Sequence, residues 1–236
     1  MIYNIADVLV GINPDEKTKK RAEKYLADNS SDAIIDFHIE PRPYEYYASR
    51  DRMGLSFNDF QHLNCGIEFH KKLLDFNGIM LHSSAVVVDN KAYLFSALSG
   101  TGKSTHTGKW LELFGDKAYI LNDDKPAIRI LDDGIYAYGT PWSGKHDISV
   151  NKKVPLQGIC FLSRDTENWI KPANKVSATI KMYDGSLKKL TPEQLNKQMK
   201  LINQIVERIP VYEMGCTPTI EAAQMAYEVM SKAEIK

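Results

Sequence analysis

The chain has 236 residues, in which 30 Lys and Arg balance 30 Asp and Glu, 43% are hydrophobic and 25% are charged. That length suits one ordinary domain with room for a small appended segment, and the apolar content supports a core, which argues against a disordered chain. Zero net charge leaves no basic excess for holding nucleic acid or anionic lipid, so neither nucleic acid nor membrane is expected as a partner.

Cys65, Cys160 and Cys216 are few, odd in number and scattered, with no CxxC pair. A disulfide scaffold or a cysteine zinc site is not expected, and a reducing, cytoplasmic setting is. The longest apolar runs, such as Ala85–Val88 and Ile159–Leu162, are strand-sized, and Met1-Ile2-Tyr3-Asn4 does not begin a signal peptide pattern.

In chain order, Tyr3–Ile12 reads as one strand, and Asn13-Pro14-Asp15-Glu16 supplies an N-cap, a proline and early acids for a polar helix to about Leu26. Ala33–Ile39 reads as a second strand. From Ser56, Phe60, Leu63, Ile67, Leu73, Leu74 and Phe76 recur at helical spacing until Asn77-Gly78. Ile79–Val88 and Ala92–Ser96 form a hairpin about Asp89-Asn90, and Lys103–Phe114 is a helix ended by Gly115-Asp116. Ala118–Leu121, Ala127–Leu131, Ile135–Tyr138 and Gln157–Leu162 are strand candidates. Two helices follow: one is opened by the capping box Thr191-Pro192-Glu193-Gln194, with Leu195, Met199, Ile202 and Val206 inward, and the last by Thr217-Pro218. Tyr44, Tyr46 and Tyr47 beside Arg50 and Arg52 read either as a packed loop or as a place for a peptide.

The sharpest motif is Ala97-Leu98-Ser99-Gly100-Thr101-Gly102-Lys103-Ser104-Thr105, set between a strand and a helix. Phosphates need convergent backbone N–H groups free of side chains, which glycines at 100 and 102 and a helix N-terminus provide. Lys103 would reach β- and γ-phosphates, and the Ser104 hydroxyl would ligate Mg²⁺. Ala97 stands where the P-loop pattern has its first glycine, which is tolerable if its φ stays negative. About one helix later, Ile120-Leu121-Asn122-Asp123-Asp124-Lys125 ends a strand in two acids, one suited to metal and one to accepting a proton.

Together these motifs resemble the HPr kinase/phosphorylase family and its relatives in the PEP carboxykinase superfamily. The run from Ser99 to Thr105 is similar to the carboxykinase phosphate loop, and the strand ending in Asp123-Asp124 to the HPr kinase arrangement. His82, in Met80-Leu81-His82-Ser83-Ser84-Ala85, is similar to the histidine that opens that catalytic domain. Arg208-Ile209-Pro210-Val211 and the helix after Pro218 look like its closing strand and helix. The resemblance covers residues 79–230. It implies an α/β P-loop kinase core, like the HPr kinase C-terminal domain or PEP carboxykinase nucleotide domain, over 79–236. A small α+β segment over 1–78 precedes it as a candidate substrate or partner region.

The resemblance further implies ATP and Mg²⁺ as cofactors and transfer of the γ-phosphoryl group to a hydroxyl of a protein or peptide, a serine in HPr kinase. Leu98–Thr105 would hold the nucleotide, Ser104 and Asp123 the metal, and Asp124 would deprotonate the acceptor, with His82 and Lys103 near the reacting phosphate. Two parts of the family pattern lack a counterpart. The glycine-rich signature ending in a metal-binding Glu is approached only by Gly139–Asp147, and the arginine after the final strand is replaced by Tyr212-Glu213-Met214. Lys145, His146 and Arg164 are further candidates for phosphate or acceptor contact, and Asp147 for approach to the metal. A kinase of small-molecule hydroxyls, a nucleotide-binding regulator without turnover, and a homo-oligomer all stay open.

Overall fold

The computed structural model describes residues 1–27, 34–49 and 54–235. The chain opens with an antiparallel hairpin of β1 (Ile2–Ile5) and β2 (Val8–Ile12), where one strand is expected from sequence. Its turn residues, Ala6 and Asp7, sit at φ 55° and 56°. Two consecutive left-handed residues match the twist of the flanking strands, but without Asn or Gly they give no turn signal. Asp15, not Asn13, caps α1 (Glu16–Ala22), accepting from the backbone N–H groups of Lys17 and Thr18. β3 (Phe37–Ile39) pairs parallel with β2, completing a three-stranded sheet; Ala33, the expected start of that strand, lies outside the described residues. In α2 (Tyr44–Ala48), Tyr44, Tyr46 and Tyr47 pack their rings on Phe57 and Phe60, while Arg50 and Arg52 lie outside the described residues.

The helix predicted from Ser56 is α3 (Phe57–Leu73), capped by Ser56 and followed by a 3₁₀ turn that ends at left-handed Asn77. Its buried face carries Phe60, Cys65, Phe69 and Leu73 together with His62 and His70, whereas Leu63 is 43% exposed. Gly66 lies under the Trp142 ring, where a Cβ would come within 2.7 Å of it, and Phe69 meets the same ring at 4.8 Å.

The remaining strands form one nine-stranded mixed sheet: β4 (Gly78–Met80), β5 (Ser83–Val88), β6 (Lys91–Ser96), β7 (Ala118–Asn122), β8 (Ala127–Leu131), β9 (Gly134–Tyr138), β10 (Lys153–Arg164), β11 (Trp169–Pro172) and β12 (Val211–Cys216). The path runs β4-β8-β9-β10-β6-β5-β7, with β12 on β10 and β11 on β12. β10 joins its parts: its first residues pair antiparallel with β9, and its last pair parallel with both β6 and β12. β5 runs antiparallel to β6 and β7, so β6, β7, β10 and β12 all end at one edge, where β5 begins.

Helices cover both faces of this part. Val86, Val88, Tyr93 and Phe95 pack with Trp110 of α4 (Lys103–Phe114) and with α7 (Ile220–Met230). The alternate residues Ala85, Val87, Ala92 and Leu94 pack with α5 (Lys175–Gly185) and α6 (Pro192–Arg208). Burial on both faces is why these strands read as unbroken apolar runs. α5 and β11 carry little sequence signal: only Ala178 and Met182 of α5 are buried, and its β-branched Val176, Thr179 and Ile180 favour strand. α6 has the expected capping box, but Leu201, Ile202 and Ile205 are its buried apolar residues, with Met199 and Val206 only flanking them.

A third cluster joins the first sheet and α3 to Met80, Ala127, Tyr138 and Trp142, so the cores on either side of residue 78 are continuous. Arg129 of β8, buried, donates to the carbonyls of Ala6 and Phe76 and holds the first hairpin in place. Among the described residues no helix is long and apolar enough to cross a membrane.

His62 and His70 are buried in α3, and burial is the main cause pushing both imidazoles from 6.5 down to about 4. The unfolded chain therefore binds more protons than the folded one between those values, and stability falls as pH drops from 6.5 through about 4. Urea unfolding followed across that window is expected to show this loss. His70→Gln, which cannot titrate but can still pair with Gln198, should lose less than the parent.

Candidate functional site

Shared strand direction sets the site. The loop after β6, the ends of β7 and β10, and the start of β5 all reach the same sheet edge, the place where open α/β sheets bind ligands. The loop 97–102 turns at Gly100 (φ 77°) and Gly102 (φ 123°), conformations that side chains rarely adopt. Ala97 is not among the residues with positive φ, so its methyl is accommodated. Gly102 then caps α4 with no side chain bonded to the first-turn N–H groups, which leaves that end open to an anion. Leu98, Ser99 and Gly100 are exposed, and Thr101 N–H closes a turn onto the Leu98 carbonyl at 3.1 Å.

Lys103, only 8% exposed, donates to the carbonyl of Ala97 at 3.1 Å, so its ammonium lies over its own loop. Burial holds its pKa below the ordinary lysine value, against the opposing pull of Asp124 and Asp123. Arg164, at the end of β10, donates to the carbonyls of Gly100 (2.6 Å) and Thr101 (3.3 Å). It braces the loop from outside.

Asp123 is 9% exposed and accepts from Ser104 Oγ at 2.9 and 3.2 Å and from Ser84 Oγ at 2.9 Å. Thr107 lies 2.9 Å from Ser84, completing a buried chain of hydroxyls between α4 and the ends of β5 and β7. Among the described residues no group of three or more His, Cys, Asp or Glu could hold a metal. A hydroxyl and a carboxylate at hydrogen-bond distance nevertheless form the oxygen donor set that suits Mg²⁺ when phosphates complete it, and Ser104 and Asp123 fit that ion.

Asp124, half-buried, meets His82 Nε2 at 3.1 Å. Burial alone would raise its pKa; the His82 hydrogen bond and the charges of Lys125, His82 and Lys103 outweigh it and hold the carboxyl below the usual range. His82 sits in the break between β4 and β5, where its backbone N–H bonds to Gly185 and its carbonyl accepts from Ser96. The acid pair itself is shaped by Asn122. Its Oδ1 accepts from the N–H groups of Asp124 and Lys125, and its Nδ2 donates to the Thr140 carbonyl, all within a buried network.

The segment after Thr140 folds over this turn. Gly144 lies so close that a Cβ would sit 3.4 Å from the Asp123 carbonyl and 3.7 Å from Asp124 Cβ. Arg21 of α1 clamps it by donating to the carbonyls of Ser143 and Gly144, and Trp142 donates to the His62 carbonyl. Lys145 and His146 are exposed at its tip. Asp147 accepts from Ser143 and lies 3.7 Å from Arg21, so it is engaged in holding the turn, not in the Ser104 and Asp123 donor set.

Between this segment, α3 and residues 185–188 lies a cleft of about 740 Å³ that includes Asp124, Lys125 and Lys145 in its lining, but not His146. The edge thus brings together Lys103, Ser104, Asp123, Asp124 and His82, with Arg164 on the loop backbone. Ser84, Thr107, Asn122, Thr140, Arg21 and Lys125 also build the site without standing out in sequence. Ser84, Asn122, Lys125 and Thr140 lie within runs named above, but nothing in those runs sets them apart from their neighbours.

No family model matches the chain, and no curated protein matches it by sequence. Among solved structures it is similar to the Hpr(Ser) kinase/phosphatase from Coxiella burnetii, at 10% identity and a TM-score of 0.35, over 63% of this chain and 94% of that one. This is a distant likeness of fold alone.

Asn122→Ala should unfold more easily in urea by roughly 3 kcal/mol, because two N–H groups and the Thr140 carbonyl lose buried partners. Asn122→Asp keeps the acceptor for both N–H groups but sets a buried carboxylate against the Thr140 carbonyl beside two other acids, and should recover none of that loss.

Proposed function

We propose that the protein is an ATP- and Mg²⁺-dependent kinase that transfers the γ-phosphoryl group to a hydroxyl of a protein or peptide. The observation that carries this is the division of labour between neighbouring acids. Asp123 is engaged with Ser104 at the first turn of α4, while Asp124 opens onto a ligand-sized cleft on the other side.

The exposed loop and the uncapped start of α4 offer N–H groups to the phosphates. Lys103 would exchange its Ala97 carbonyl for β- and γ-phosphate oxygens, a short move for a side chain already over the loop. Bound Mg²⁺ would neutralise phosphate charge, held by Ser104 and Asp123. Arg164 keeps the loop carbonyls occupied and so holds its N–H groups in one arrangement.

Asp124 would take the proton of the acceptor hydroxyl as that oxygen forms its bond to the γ-phosphorus; the bond from γ-phosphorus to the β–γ bridging oxygen breaks, and ADP leaves with that electron pair. His82 steadies one oxygen of Asp124, which leaves the other for the acceptor. Phosphoryl transfer needs little more than positioning and charge stabilisation, and these residues supply both.

Asp124→Asn should bind ATP as the parent does yet transfer phosphate roughly 10²- to 10⁴-fold more slowly, the usual contribution of a general base. Lys103→Ala should weaken ATP binding about tenfold or more, as loss of one charge-assisted contact does. Isothermal titration and transfer of labelled phosphate from ATP check both, and undiminished transfer by Asp124→Asn would remove it as the base.

A further inference from the structure

We infer that the cleft beside Asp124 receives an acidic peptide segment, whose serine or threonine hydroxyl is the acceptor and whose acidic neighbours are held by Lys125 and Lys145. This rests on the kinase reading for the word acceptor, but the binding preference stands on the cleft itself.

Among the described residues five cations line the cleft: Lys17, Arg21, Lys125, Lys145 and Lys188. Three are already engaged. Lys17 is paired with Asp59, Lys188 with Asp184, and Arg21 with the carbonyls of Ser143 and Gly144. Lys125 and Lys145 have no side-chain hydrogen bond or ion pair among the described residues. Both flank Asp124, Lys125 as the next residue and Lys145 on the turn folded over the acid pair.

Lys125 feels the charge of Asp124 first and that of Lys103 second, and is itself felt by His70 of α3. It therefore stands where the phosphate loop and the cleft meet. Its half-buried ammonium has Asp124 nearby but no hydrogen-bond acceptor among the described residues, and an anionic ligand can supply one.

The other cleft groups compete little for an anion. His62 Nδ1 donates to Thr18, whose hydroxyl is given to Asp15, so Nε2 is left as a neutral acceptor. Leu63, Ile67, Met80, Trp142 and Leu187 supply apolar wall, and Leu63 is exposed on a helix whose other apolar residues are mostly covered. Apolar wall plus two separated free cations suits a short extended segment with acids on both sides of its hydroxyl, more than a compact small anion.

The test is equilibrium binding of fluorescent peptides to the full chain with ADP and Mg²⁺, read by anisotropy. Three peptides of equal length carry one serine flanked by glutamates, by glutamines or by lysines, and unlabelled N-acetylserine competes. The glutamate peptide should bind about tenfold or more tighter than the glutamine one, a difference of one charge-assisted contact. Lys125→Met and Lys145→Met should each reduce that ratio, and together abolish it, the two peptides being compared within each variant at saturating ADP.

Equal affinity for the glutamate and glutamine peptides would overturn the inference. So would tightest binding of the lysine peptide, an undiminished preference in the double variant, absence of peptide binding, or displacement by N-acetylserine as effective as by peptide. Acidic preference without any transfer from ATP would remove the kinase reading alone. Transfer to serine peptides regardless of their charge would remove this inference alone.

Discussion

One carboxylate organises the site. Asp123 is nearly out of water, and a buried carboxylate is tolerated only where donors satisfy it. Here the donors are hydroxyls from two different elements, Ser84 on β5 and Ser104 on α4, so satisfying Asp123 also fixes where the helix starts relative to two strand ends. The glycine loop has to close across that distance, and the Lys103 ammonium lands over it as a result. Asn122 holds the next two N–H groups, which turns Asp124 to His82 rather than to Ser104. Two adjacent acids thereby acquire different surroundings and different chemistry.

The first part of the chain is bound into this arrangement. Trp142 lies on Gly66 and against Phe69, and Arg21 holds the carbonyls of Ser143 and Gly144, so helices from before residue 78 set the position of the turn carrying Lys145. Arg129 does the converse, reaching from the large sheet to the carbonyls of the first hairpin. The cleft lies where these surfaces meet beside Asp124. Its other walls are paired and apolar, which leaves the positive charge of Lys125 and Lys145 around Asp124.

Much of the large sheet was legible because its signals are local. The Asp89-Asn90 turn, with both residues left-handed, the span of α4 and the capping box of α6 each depend on residues within a few positions of one another. What escaped depends on context. Ala6 and Asp7 adopt a turn without turn residues because Arg129 and the hairpin's own core select it. α5 overrides its β-branched residues by packing Ala178 and Met182 on the sheet. Arg164 reads in sequence as a candidate for phosphate or acceptor contact, but β10 running parallel to β6 brings it to the loop carbonyls instead.

The sequence by itself determined the chemistry on offer: a loop that glycines leave open, a lysine and serine at the start of a helix, two acids after a strand and a histidine upstream. Spacing along the chain is enough for these, since each is a relation between near neighbours. Only the tertiary structure decided which acid faces which partner, that Arg164 supports the loop, and that Lys125 and Lys145 are, among the described residues, the cleft's cations without a partner. Those outcomes follow from strand order and from burial, in which every hydroxyl, carbonyl and charge must find a partner from elsewhere in the chain, and no local pattern records which one it finds.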